Sequence, residues 1–207
     1  MSIVRPRSRR MDAAERRQEI IAAASRIAVG EGLERVTAKR VAEELGVAPG
    51  LISHYFGSAD DLVAAAFGHA AGDERGLLFS AASEGAAPRE ELNRLVAGFL
   101  HPDRDPVSLL WLDAWQASRR RPALMAEVVR QMDADTAQLA ELIRRGSVSG
   151  DFSAVDPAST ALRIMALIDG LSIRAAIRAQ IDYTVVADLV VSTVESELGL
   201  SPGALTV

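Results

Sequence analysis

The sequence predicts an all-α protein of about nine helices, with a small helix-turn-helix head followed by a larger helical body. Three observations predict this. Alanine, leucine, valine and arginine dominate the 207 residues, a composition that favours helix. Apolar residues recur at helical spacing in segments opened by proline or closed by glycine. No segment alternates apolar and polar residues as a half-buried strand would.

The elements follow in order. Residues 1–10 hold Arg5, Arg7, Arg9 and Arg10 and no acid, and read as a disordered basic arm, a composition shared by solubilising tails. A first helix over about 13–30 places Ile20, Ala24, Ile27 and Ala28 on one face, and Gly30 and Gly32 end it. Thr37 caps a second helix whose Val41, Ala42 and Leu45 point inward. Gly46 supplies the positive φ of a sharp stop, Val47 packs inward, and Pro49 takes the first position of a third helix. Ile52 and Phe56 bury that helix's inner face. Ser58 to Asp61 resembles a capping box with Asp in place of Glu or Gln, opening a long helix to roughly residue 83. After a break at 84–88, further helices are expected over about 89–100, 106–120, 122–145, 157–179 and 183–198. Asp105-Pro106 and Asp156-Pro157 each offer an N-cap followed by Pro in the first turn. Loops are expected at 101–106 and 146–151, and order should end at Ser201-Pro-Gly203. The resulting division is an arm over 1–10, a head over 11–57, a body for effector binding and dimerisation over 58–200, and a tail over 201–207.

Charge divides the same way. Residues 1–57 carry 10 Lys+Arg against 7 Asp+Glu, a balance of +3, and residues 58–207 carry 13 against 21, a balance of −8. A basic head on an acidic body suits an anionic partner at the head alone. Cysteine is absent, which excludes disulfides and thiolate zinc sites. The N-terminus lacks the apolar stretch of a signal peptide, and apolar runs such as Ile164 to Ile168 are far too short to span a bilayer. The expectation is a soluble cytoplasmic protein with no membrane partner. Catalytic groupings are also missing: there is no phosphate loop or dinucleotide fingerprint. Ser53 and His54 are adjacent, so their side chains diverge on a helix, and His69 and His101 stand apart. No enzyme, metal site or cofactor is expected. A helical adaptor that binds protein rather than DNA, or a regulator without a small-molecule effector, is the remaining alternative.

The block from Thr37 to Phe56 carries the chemistry. Two short helices joined by a tight glycine turn leave Pro49, Gly50, Leu51, Ser53, His54 and Tyr55 available on the second helix. Serine, histidine and tyrosine donate to phosphates or base edges, Leu51 suits a thymine methyl, and Gly50 permits close backbone approach. Thr37, Lys39 and Arg40 open the preceding helix, whose orphan N–H groups and positive dipole end suit a phosphate.

This block, from Thr37 through Val-Ala-Glu-Glu-Leu-Gly-Val, Pro-Gly-Leu-Ile and His-Tyr-Phe-Gly-Ser to Leu62, resembles the TetR-type repressors. The resemblance implies three N-terminal helices that bind DNA and a body that binds a ligand and dimerises. Three departures remove plausible backbone contacts: Ala48 and Ala59 stand where serine and lysine are common, and Ser53 where tyrosine is. The arginine arm is placed to make up part of that loss.

Two further segments, Trp111 to Ser118 and Ala166 to Ala176, resemble the choline-responsive betaine-pathway repressors, with Ala114 in place of an expected aromatic and Asp113 adding a charge. Trp111 and Trp115 lie one turn apart and could wall a pocket for a cation, although such pairs are more often plain core. Asp169, in a strongly apolar helix, is the counter-charge, the partner of an arginine such as Arg163 or Arg174, or the cap of a neighbouring helix. Met125 is a further pocket candidate. The last two helices are apolar on too many sides for one interface. The resemblance implies that the same helices of a second subunit cover them, with Leu162, Met165, Leu171 and Ile173 on one and Val186, Leu189, Val190 and Val194 on the other at a homodimer face; a central helix of a monomer is the alternative. The whole reads as a repressor that binds a palindromic double-stranded DNA operator as a dimer and is released by an unknown small-molecule effector.

Overall fold

Nine α-helices and three short 3-10 turns, with no strand, make up the described residues of the computed structural model, which are 12–80, 86–153, 155–175, 178–180 and 182–206. The basic arm expected over 1–10 lies outside them.

The head is built by local chemistry. Helix α1 (Ala13–Glu31) opens on a reciprocal capping box, with the Asp12 carboxylate accepting from the Glu15 N–H at 2.7 Å and the Glu15 carboxylate accepting from the Asp12 N–H at 3.1 Å. It stops at Gly32, whose φ of +96° few other residues adopt readily. A 3-10 turn over Leu33–Arg35 leads to α2 (Ala38–Leu45), capped by Thr37 as expected. Gly46, at φ +66°, reverses the chain, and the Val47 N–H reaches the Ala42 carbonyl at 2.9 Å. Helix α3 (Pro49–Tyr55) begins on its proline, and Ala48 makes no side-chain cap bond.

The body follows with α4 (Ala59–Ser80), α5 (Pro88–Leu100), α6 (Asp105–Ser118), α7 (Pro122–Ser149), α8 (Pro157–Ala175) and α9 (Tyr183–Leu198). The Ser58 hydroxyl accepts from the Asp61 N–H at 3.0 Å and donates to the Asp61 carboxylate at 2.8 Å, so Ser58 caps the helix while the Asp61 carboxylate binds the Ser58 hydroxyl and not the backbone N–H that a reciprocal capping box would use.

Three expectations are corrected. Asp105 does not cap α6 from outside. It is the first residue of the helix, and its carboxylate takes both Nε and Nη2 of Arg178 at 2.6 Å. Helix α7 does not stop before Gly146. That glycine is helical and buried, and the Phe152 ring lies where a Cβ would be, so the position requires glycine. The helix runs on to a left-handed cap at Gly150. The chain beyond α9 is not loose. Leu205 is buried in the body core, and its N–H donates to the buried Glu195 carboxylate at 2.9 Å.

Two cores hold the molecule. One begins in the head with Ile20, Val41, Ile52 and Phe56 and continues through Phe67 of α4 to Trp111 of α6 and Leu124 of α7. The other joins α5, α7, α8 and α9 around Leu92, Leu139, Ile164 and Val190. The head therefore shares a continuous apolar core with the nearer half of the body.

Candidate nucleic-acid interface and effector site

Helix α3 is fixed on one side and open on the other. Ile52 is fully buried and Phe56 nearly so, with the Arg17 guanidinium 5.0 Å from the Phe56 ring centre. Pro49, Gly50, Ser53 and His54 are exposed, and Leu51 and Tyr55 are half-buried. Tyr55 packs against the head core and meets His54 edge-on at 5.4 Å between ring centres. The hydroxyl of Ser53 and the imidazole of His54 are thus carried on the open face of a helix anchored by its other residues.

The start of α2 lies beside it. Thr37 is exposed, and its Oγ1 accepts from the Arg40 N–H at 3.1 Å, which leaves the hydroxyl proton available to a phosphate. Lys39 is 81% exposed and touches Glu43 only at 3.9 Å. Arg40 differs from the expectation. Its Nε and Nη2 bind Glu31 at 3.1 and 2.5 Å, and its Nη1 binds Glu44 at 3.1 Å. The Glu31 carboxyl is held below its ordinary range by that hydrogen bond. Arg40 ties α1 to α2 in place of presenting a free cation to DNA.

The body holds a second grouping that the sequence did not bring together. Glu74 and Arg75 of α4, Arg104 before α6, Trp111 of α6, Gln131 and Asp135 of α7 and Asp169 of α8 meet in the interior. The Trp111 indole N–H donates to Glu74 Oε2 at 3.3 Å, and Arg104 Nε lies 2.8 Å from Glu74 Oε1. Arg75 Nη1 donates to Gln131 at 2.6 Å and to Asp135 at 2.9 Å. The Arg104 guanidinium also lies 5.0 Å from the centre of the Phe99 ring. Burial raises the Glu74 carboxyl against the pull of Arg104, and burial likewise raises Asp135 against Arg75. Burial pushes Asp169 up to about 6, opposed by Arg104 and reinforced by Asp135. Three carboxylates face two guanidiniums, so the ionised cluster carries an excess negative charge.

The individual candidates fall unevenly around this cluster. Trp111 is buried, edge-on to Phe67 at 4.9 Å and 5.7 Å from Trp115. Both indoles pack in the core, with Trp111 also touching the charge cluster through its N–H. Asp169 makes no ion pair with Arg163 or Arg174 among the described residues, and Arg163 pairs with Glu197 at 2.6 Å. Met125 is 40% exposed on the outside of α7, which removes it from the interior. The polar members were hard to see but left a trace. Val128, Gln131, Asp135, Leu139 and Leu142 recur at helical spacing, so Gln131 and Asp135 interrupt an inward stripe.

The eight residues expected at a dimer face also divide. Met165, Leu171, Val186, Val190 and Val194 are buried in the chain's own core, because α5 and α7 cover that side of α8 and α9. Leu162, Ile173 and Leu189 are exposed on the other side, at 62%, 61% and 53%, and Val185 joins them at 64%.

Among the described residues, no helix is long and apolar enough to cross a membrane.

Comparison with known proteins agrees with both halves of this description. Residues 20–66 match the family of bacterial regulatory proteins named for TetR, and residues 88–199 match the C-terminal domain of BetI-type transcriptional repressors. The chain is similar to the transcriptional regulator BetI of Paraburkholderia phytofirmans, with 31% identity over 176 residues covering 80% of this chain and 84% of the relative. It is similar to BetI of Rhizobium meliloti at 30% identity over 170 residues, 79% of either chain. Among solved structures, a TetR-family regulator from a Rhodococcus species superposes with a TM-score of 0.75 at 25% identity, covering 89% of this chain and 99% of that one. A transcriptional regulator from Saccharomonospora viridis, crystallised in complex with choline, superposes with a TM-score of 0.69 at 26% identity, covering 88% and 96%.

Proposed function

The chain belongs to the TetR family of transcriptional repressors, with a BetI-type C-terminal domain, and on that premise we propose that it binds a palindromic operator as a homodimer and is released by a small organic cation held in the body. The family is one of DNA-binding regulators, not of enzymes.

The observation that carries the DNA reading is the asymmetry of α3. Ile52 and Phe56 lock one face while Gly50, Ser53 and His54 stand free on the other. A helix held in that way enters a major groove without reorganising. Thr37 and Lys39 at the start of α2 suit the flanking phosphates. Leu162, Ile173, Val185 and Leu189 suit the partner subunit.

The excess carboxylate charge around Asp169 supports a cationic effector, since a monocation restores neutrality where water is excluded. The choline bound by the Saccharomonospora viridis relative belongs to that class. An effector that prefers the non-binding head spacing by a few kcal/mol suffices to release DNA.

Gel-shift titration against duplexes from the chain's own and neighbouring promoters tests the reading. Sequence-specific, salt-sensitive binding is expected, and substituting Ser53 and His54 by alanine should weaken it by about 100-fold or more while the dimer persists, as loss of two base or phosphate contacts implies. Absence of such binding by the unaltered protein would overturn it. Choline chloride in a thermal-shift assay tests the cation class, because a ligand of the native state raises its melting point.

A further inference from the structure

We propose that the Phe99 ring and the Glu74 carboxylate form the cation subsite of the body, that Arg104 fills it as a resident cation, and that an organic cation enters by displacing this guanidinium toward Asp169. The inference deepens the effector reading above and rests on it.

The Arg104 guanidinium lies 5.0 Å from the centre of the Phe99 ring, and its Nε is 2.8 Å from Glu74 Oε1. An aromatic face set against a carboxylate is an arrangement that holds an organic cation out of water. The two tryptophans do not offer it. Trp111 meets Phe67 edge-on, packs against Trp115 and turns its N–H edge to Glu74. Phe99 belongs to the core around α5, α7, α8 and α9, and Trp111 to the core shared with the head. The Glu74–Arg104 pair is therefore a polar filling between two apolar cores.

Arg104 is a poorly matched occupant. Its Nε and Glu74 Oε1 stand at ion-pair distance, yet both atoms are enclosed and neither has an aligned hydrogen bond. Among the described residues the guanidinium makes one hydrogen bond, from Nη1 to the Ser108 hydroxyl at 2.9 Å. Enclosed N–H groups without acceptors cost stability. A quaternary ammonium has no N–H to leave unpaired, so it meets the ring and the carboxylate without that cost.

The guanidinium also has a place to go. Arg104 ends the 3-10 turn Pro102–Arg104, and His101, Pro102 and Asp103 before it are exposed, so its withdrawal does not require a packed helix to move. Asp169 of α8 feels the charge of Arg104 against that of Asp135, and it makes no ion pair among the described residues. A guanidinium that swings from Glu74 to Asp169 keeps a carboxylate partner. The incoming cation takes over Glu74 and brings the ionised cluster to neutrality.

Calorimetric titration of the full-length protein with choline chloride and with methylguanidinium chloride, in the absence of DNA, tests the assignment. Arg104→Ala vacates the subsite and should bind both cations about tenfold or more tighter than the parent, because no resident group has to be displaced. Methylurea, which matches methylguanidinium in shape and carries no charge, should not bind. Adding Phe99→Leu to Arg104→Ala should abolish the gain, whereas adding Trp115→Phe should leave it. Arg104→Gln takes the place of Arg104→Ala if that chain fails to fold. Equal affinity in parent and variant, equal binding of methylurea, or a gain that survives Phe99→Leu would overturn the proposal. An intact gain in a protein that choline fails to release from DNA supports the subsite and counts against the effector class proposed above.

Discussion

Asp169 holds its proton in the folded chain across a range where water would remove it. An aspartate in the unfolded chain loses its proton near about pH 4, whereas burial against Asp135 moves the folded value up to about 6 despite Arg104. Between those values the folded state binds a proton that the unfolded state has released. Stability therefore falls as pH rises through this window and stays lower above it. Asp169→Asn keeps the shape and removes the titration. It should stabilise the protein at neutral pH by roughly 1–3 kcal/mol, a gain of several degrees in Tm, and flatten the dependence of Tm on pH across the window. Melting curves of both proteins from acid to neutral pH measure this, and parallel pH profiles would count against it. Asp169 was legible as an oddity, a lone charge in an apolar helix. Its neighbours Arg104 and Asp135 were not, because they come from distant parts of the chain.

Elements were legible where their boundaries are local. Thr37, Gly46 and Pro49 bound α2 and start α3 through bonds spanning a few residues, so the head could be read from its caps and turn. The reading failed where a distant partner decides. Gly146 looked like a helix end, but it is a packing glycine within the helix, where Phe152 folds back and fills the space a Cβ would need. The C-terminal strap failed for the same reason. The Asn93 amide donates to the Thr206 carbonyl at 2.9 Å and accepts from its N–H at 2.6 Å, across 113 positions of sequence. Arg89 Nη2 donates to the Ala204 carbonyl at 2.9 Å. The Glu195 carboxylate, held below its ordinary range by the N–H of Leu205, closes the strap onto α9. Leu205 is the apolar anchor at 4% exposure. Leu205→Ala should lower unfolding stability by about 2–4 kcal/mol, the usual cost of a buried leucine cavity, which denaturant titration would read. A loss below about 0.5 kcal/mol, typical of a surface position, would show that the strap contributes little.

At the scale of the whole molecule, the distribution of charge sets a requirement on DNA binding. The first 57 residues carry a net +3, the rest a net −8, and Arg40 is committed to Glu31 and Glu44 within the head. Among the described residues a single head brings few free cations to the phosphates, with an acidic body behind it. In the proposed homodimer affinity would depend on two heads acting together, the second binding at the high local concentration that linkage to the first creates. In that homodimer the linkage would pass through the exposed side of α8 and α9, where Leu162 and Leu189 stand. Because neither side chain supports the chain's own core, Leu162→Glu with Leu189→Glu should leave each subunit folded while like charges and lost apolar contact separate the pair. Light scattering should then report a monomer with an unchanged helical circular dichroism spectrum. Operator affinity should fall by about 100-fold or more, and its salt dependence should become shallower as the phosphates contacted per complex are halved. A variant that stays dimeric would move the interface elsewhere, and a monomer that binds as tightly as the parent would remove the need for paired heads.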